Sequence, residues 1–179
     1  MDIVERIITL FGEGGGDAYF GEAITQSEHA LQSAWFARDS GRDGQLAALL
    51  HDIGHLLHRR GEDAADRGID ARHERIGAAW LARYFPPSIT EPIALHVDAK
   101  RYLCARDAAY EATLSTASVQ SLRLQGGPLD EAACLAFERH AHWREAVALR
   151  RCDDQAKIVD LEVPGWDRYV ELLRAASAT

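Results

Sequence analysis

The sequence predicts an all-α protein built as a single helical bundle. Three observations carry this expectation. Apolar residues recur at helical spacing along the chain, no segment sustains the period-two alternation of a strand, and glycine and proline cluster where helices end. The 179 residues suit one domain, 1–179, with a core over about 17–170 and no repeat, low-complexity stretch or linker.

Each element follows from local signals. Residues 3–11 read as a short opening helix, and Gly12–Gly16 as a loop. Thr25 and Glu28 form a capping-box pattern that opens a helix to about Arg38. Leu46, Leu49, Leu50, Ile53, Leu56 and Leu57 predict one long buried helix over 44–58. The polar stretch 59–70 reads as a loop, followed by a helix from about Arg72 to Phe85 that Pro86-Pro87 ends. Ser88 and Glu91 form a second capping-box pattern, opening a helix through His96. Residues 106–125 are expected to be helical with a break near Ser115. Gly126-Gly127-Pro128 reads as a turn with Pro128 in the first turn of the next helix. Helices over 129–142, 144–158 and 166–176 complete the chain, the last set off by Pro164-Gly165.

Bulk properties exclude several functions. Hydrophobic residues make up 47% and charged residues 27%, an ordinary globular mix that argues against disorder. A net charge of −8 disfavours nucleic acid and anionic membranes as partners. No apolar run is long enough to span a bilayer, and the N-terminus lacks a signal-peptide pattern. Cys104, Cys134 and Cys152 are widely spaced and form no CxxC, so reduced thiols and a cytoplasmic location are expected.

The histidines carry the chemistry. His51-Asp52 lies inside the apolar stretch LAALLHDIGHLL, where two buried polar groups are costly unless paired or bound. Neighbouring helical residues diverge by about 100°, so the pair can approach two metal ions from different sides with the carboxylate between them. Mixed imidazole and carboxylate donors suit iron, manganese or zinc better than magnesium alone. Further candidates are His29 in SEHALQSAWFA, His73 in ARHERIG, His96 in IALHVDAK and Asp153 in LRRCDDQAKI. Arg150, Asp153 and Lys157 share a helical face, which favours Asp153 over Asp154 as a ligand; Asp154, turned away from Arg150, is left to orient a ligand histidine. His55 and His58 continue the His51 stripe, either towards solvent or to hydrogen-bond behind the ligands. His140 and His142 read as surface or packing residues.

The order His29, His51-Asp52, His73, His96, Asp153 resembles the dinuclear branch of the HD-domain superfamily. In that pattern His29, His51, Asp52 and Asp153 make a mononuclear core, and His73 and His96 add a second metal. Two enzymatic chemistries follow: phosphohydrolysis of a nucleotide or phosphoester by metal-bound hydroxide, and dioxygen activation by two irons. A non-catalytic HD binding module is a third class, disfavoured because all six candidate ligands are present.

The stretches AYFGEAITQSEHALQSA, LAALLHDIGHL, HVDAKRYLC, LSTASVQSLRLQGGP and LRRCDDQAKI resemble a narrower group, the PhnZ-like HD-domain di-iron oxygenases, relatives of myo-inositol oxygenase. The likeness runs from about Asp17 to Tyr169. It implies a mixed-valent Fe(II)/Fe(III) pair on the six ligands, O2 as co-substrate, and oxidative cleavage of the C–P bond of a 1-hydroxyalkylphosphonate. A 2-amino- or 2-trimethylammonio-1-hydroxyethylphosphonate would give phosphate with glycine or glycine betaine, and hydroxymethylphosphonate would give formate. The likeness further implies that Lys100, Ser118 and Arg150 contact the phosphonate, with Ser121 a further candidate. Tyr19 would cap an iron in the resting site and withdraw for substrate, and Glu22 would approach the substrate's amino end. A separate partner oxygenase would install the C1 hydroxyl.

The charges agree with this. A dianionic phosphonate on an acidic protein needs local cations, which Lys100 and Arg150 can supply. Glu22 at the far end suits a cationic tail. Trp35, Tyr84 and Tyr102 are candidates to line a methylammonium site.

Overall fold

A computed structural model describes residues 2–19, 21–57 and 72–177. Among these residues the chain is all-α, with eleven helices and a lone antiparallel bridge between Ala18 and Thr25. His58 and the loop expected over 59–70 lie outside the described residues.

Helix α1 (Ile3–Gly14) opens on a capping box, with Asp2 accepting from the Glu5 amide and Glu5 from the Asp2 amide. It buries Val4, Ile7 and Phe11 on one face and runs past the expected end at residue 11 to Gly14, since glycine is tolerated in a last turn. The segment after it folds back tightly. The Gln26 amide donates to Asp17 O, the Tyr19 amide to Ile24 O and the Glu22 amide to Tyr19 O, with Gly21 at φ 78° allowing the reversal. This turn places Tyr19 over His29 in the N-terminal half of α2 (Gln26–Phe36), whose Thr25–Glu28 capping box is as expected, and Glu22 beside Lys157.

The helix expected over 44–58 is two helices, α3 (Gly41–Leu50) and α4 (Ile53–Leu57), interrupted at His51 and Asp52. The His51 imidazole takes the Ala48 carbonyl at 2.8 Å, the acceptor that a continuing helix would offer the Asp52 amide. The close approach of α4 to α5 (His73–Leu81) rests on Gly54. A methyl there would lie 2.0 Å from the His73 carbonyl oxygen, and Gly77 meets Gly54 from the other side.

Helix α6 (Pro87–Arg106) corrects a second expectation. It starts at Pro87 and runs ten residues beyond His96. The Ser88 hydroxyl donates to Asp43 Oδ2 at 2.6 Å instead of capping, so Ser88-x-x-Glu91 is no capping box. Burial of Val97, Ala99, Leu103 and Cys104 carries the helix on. His96 and Lys100 therefore stand one turn apart on one face. Helices α7 (Ala108–Glu111) and α8 (Thr116–Leu124) flank the break at Ser115, whose hydroxyl caps α8. Gly126 and Gly127 adopt positive φ in the turn that follows, clamped by Arg101 Nε on Gly127 O. Helices α9 (Glu131–Phe137), α10 (Trp143–Gln155) and α11 (Asp167–Ala176) complete the bundle.

Helix α6 packs along α10, α5 and α3, and α2 packs on α3 and α10. Leu46, Leu49, Leu50, Ile53, Leu81, Ile89, Ile93 and Leu173 fill the apolar centre beneath the α3–α4 break. The break thus presents its polar pair to the end of the bundle where α2, α5, α6 and α10 converge. No helix among the described residues is long and apolar enough to cross a membrane.

Candidate active site

The six candidate ligands come from five places in the fold and converge. His29 and His51 present Nε2 atoms 3.2 Å apart, and His73 and His96 do the same at 3.1 Å. Asp52 lies between the pairs. Its Oδ2 is 3.3 Å from His51 Nε2 and 3.7 Å from His29 Nε2, while its Oδ1 is 3.2 Å from His73 Nε2 and 3.7 Å from His96 Nε2. One carboxylate thus offers a separate oxygen to each histidine pair. Asp153 joins the first pair, with Oδ1 3.3 Å from His29 Nε2 and Oδ2 3.7 Å from His51 Nε2.

The hydrogen bonds behind the rings fix their tautomers. His29 Nδ1 meets Ala156 O at 2.7 Å, His51 Nδ1 meets Ala48 O and His96 Nδ1 meets Ile93 O at 2.7 Å. A carbonyl only accepts, so each Nδ1 carries the proton and each Nε2 points a lone pair inward. His73 differs, with its Nδ1 3.7 Å from the Glu74 carboxylate. The His29 and His51 lone pairs, facing each other at 3.2 Å, repel unless a cation lies between or beside them. Asp153 Oδ1, buried without a hydrogen-bond partner, makes the same demand. In the absence of metal a proton answers it. Burial disfavours the His51 imidazolium, but Asp52 and Asp153 outweigh burial and raise its pKa to about 9. These donors fit metal binding: the ligand atoms of His29, His51 and Asp52, of His51, His96 and Asp153, and of Asp52, His73 and His96 each lie within 4.8 Å of one another.

Tyr19 closes the His29 side. Its ring stacks on His29 with centroids 3.9 Å apart, and its hydroxyl donates to Asp52 Oδ2 at 2.9 Å. Burial, then the charges of Asp52 and Asp153, hold the phenol well above its ordinary pKa. His55 stacks on His73 at 3.9 Å and lies 3.9 Å from Asp52 Oδ1, so it backs the cluster instead of leading to solvent.

A band of cations borders this centre. Lys100 is 2% exposed and donates to Ser121 Oγ at 2.7 Å. Burial, reinforced by Arg150 and Lys157, pushes its pKa down to about 7. Ser121 in turn donates to Ser118 O, and Ser118 Oγ accepts from Lys157 Nζ at 2.9 Å. Arg150 is buried with its charge already answered, by Asp153 Oδ2 at 2.7 Å and by Asp154. Asp154 is therefore not turned away from Arg150, because i and i+4 are neighbours on a helix, and it orients Arg150 and Tyr110 in place of a histidine. Lys100, by contrast, has no carboxylate within ion-pair distance among the described residues, which leaves its charge for an incoming anion.

Some sequence candidates fall elsewhere. Tyr84 packs against Trp80, Tyr102 against Phe137 and Trp143, and Trp35 lies under the Arg38 guanidinium, so none of the three lines the site. His140 is exposed and His142 half-buried, outside the cluster. Lys157, Glu74 and Gly54 belong to the site's surroundings although no motif marks them.

An HD-domain signature covers residues 27–161, and the chain belongs to the HD-domain family. Its relatives narrow the class. It is 39% identical to a [1-hydroxy-2-(trimethylamino)ethyl]phosphonate dioxygenase (glycine-betaine-forming) of Leisingera caerulea, over 97% of this chain and 89% of the relative. It is 44% identical to a hydroxymethylphosphonate dioxygenase of Gimesia maris, over 92% of this chain and 85% of the relative. An uncharacterised protein of Acanthamoeba polyphaga mimivirus is 34% identical over 95% of this chain and 80% of its own length.

Proposed function

We infer that this chain is an HD-domain di-iron oxygenase that cleaves the C–P bond of a 1-hydroxyphosphonate with O2, releasing phosphate and a carboxylic acid. The observation that carries this reading is the division of Asp52 between two histidine pairs, beside a buried lysine that has no counter-ion among the described residues. The relatives act on two such phosphonates by name.

His29, His51 and Asp153 would hold one iron and His73 and His96 the other, with Asp52 shared. A mixed-valent iron pair held there would supply the redox chemistry with O2 that oxidises C1. The chain does the rest. Lys100 seats the phosphonate through its charge, and Ser118 and Ser121 hold the lysine ammonium groups around it. Arg150 keeps Asp153 and Asp154 in place and adds a buried positive charge to the seat. Tyr19 covers the His29 side until substrate enters. The overall reaction balances without a further reductant: hydroxymethylphosphonate dianion plus one O2 gives formic acid plus hydrogenphosphate. The substrate's C1 hydroxyl requires a separate hydroxylating oxygenase upstream. Three buried, unpaired thiols support a cytoplasmic setting.

Oxygen separates this reading from phosphoester hydrolysis by a dinuclear HD site. Phosphate release from hydroxymethylphosphonate or its trimethylamino analogue is expected in air and absent under strict anaerobiosis. Anaerobic release, or turnover of phosphoesters in its place, would establish the hydrolase.

A further inference from the structure

Lys157 follows directly on Ala156, whose carbonyl is fixed by His29. Its ammonium makes two contacts of different kinds. It donates to Ser118 Oγ at 2.9 Å, on the cationic band, and it lies 3.6 Å from Glu22 Oε1, on the turn that carries Tyr19. Glu22 has no other ion pair among the described residues, and its Oε1 is buried without a hydrogen-bond partner. Lys157 therefore neutralises Glu22 by charge while spending a hydrogen bond elsewhere. Glu22 is the carboxylate that would receive a substrate's cationic tail, so that end of the free site is already balanced.

We propose that Lys157 selects the substrate: while it neutralises Glu22, the site takes a 1-hydroxyphosphonate without a cationic tail. A trimethylamino tail has to displace Lys157 from Glu22. The inference rests on the phosphonate-oxygenase reading above. Its physical basis is competition between two cations for one carboxylate. A lysine ammonium is a compact charge that comes within 3.6 Å of the carboxylate, whereas a trimethylammonium holds its charge behind three methyl groups. With both cations present, their mutual repulsion adds to the cost of admitting the tail. A tail-free substrate such as hydroxymethylphosphonate leaves the pair undisturbed and meets Lys157 through Ser118.

The test compares kcat/KM for phosphate release from hydroxymethylphosphonate and from 1-hydroxy-2-(trimethylamino)ethylphosphonate, using iron-loaded wild type, Lys157→Met, Glu22→Gln and the double variant. Wild type is expected to favour hydroxymethylphosphonate. Lys157→Met frees Glu22 and should move the ratio towards the trimethylamino substrate by about ten-fold or more, the weight of one charge-assisted contact. Glu22→Gln should move it the other way, and the double variant should lose the gain of Lys157→Met. A wild type that already favours the trimethylamino substrate overturns the inference, as does a Lys157→Met variant that changes both substrates alike. Both results leave the oxygenase reading standing. Wild type releasing phosphate from neither substrate overturns that reading and this inference with it.

Discussion

The Tyr19 hydroxyl donates to Asp52 Oδ2 at 2.9 Å, the same oxygen that faces His29 and His51. The phenol therefore stands where a metal held by those residues would meet it. In the metal-free site, burial and the Asp52 charge keep its proton on; a ferric ion bound there would reverse that preference. Oxidised, iron-loaded wild type should show a visible tyrosinate-to-iron band that substrate abolishes. Tyr19→Phe should lack the band and keep turnover. A wild type without the band, and a variant indistinguishable from it with or without substrate, would mean that Tyr19 is no gate.

The split of Asp52 between two histidine pairs predicts unequal metal losses. His96→Ala leaves His29, His51, Asp52 and Asp153 intact and should retain about one ion per chain, since that set alone completes a site. Asp52→Ala removes a donor from both sides and should lower both occupancies. Elemental analysis of the purified variants decides this, and loss of both ions in His96→Ala would contradict the division.

Gly54 positions the second histidine pair through its contact with the His73 backbone. A methyl at this position would lie 2.0 Å from the His73 carbonyl oxygen, so Gly54→Ala must push α5 away from α4. The expected cost is about 1–3 kcal/mol of stability, as for other overpacked sites, together with weaker binding of the ion on His73 and His96. Thermal melting and metal content check both, and a variant with wild-type values of each would show that the contact relaxes freely.

Lys100 gives the pH dependence its sign. Burial has lowered its pKa from 10.5 to about 7, so above that pH the empty site holds it neutral. An anion needs the charged form, so KM for the phosphonate should rise as pH climbs past about 7. Lys100→Met should raise KM about ten- to a hundred-fold at neutral pH, lose the alkaline limb and keep its iron. An alkaline limb that survives in Lys100→Met would assign it to another group.

The sequence made the site legible where chemistry and burial conflict. His51 and Asp52 in an apolar run announce a bound partner, and the Thr25–Glu28 cap fixes where the His29 helix begins. It was silent where the cause is tertiary. The interruption of the helix at His51 and Asp52 falls inside an unbroken apolar periodicity, which therefore cannot register it. Lys157 reads as one more helical-face lysine until the Glu22 turn folds over it. Ser88 looked like a cap because its true partner, Asp43, lies 45 residues away.

Metal analysis with Mössbauer spectroscopy, on protein made in iron-rich medium and handled in air, tests the account's centre most directly. The proposed di-iron centre requires about two irons per chain, magnetically coupled through a shared ligand, with a mixed-valent fraction. A single bound ion, two uncoupled ions or a site filled only by magnesium would contradict it.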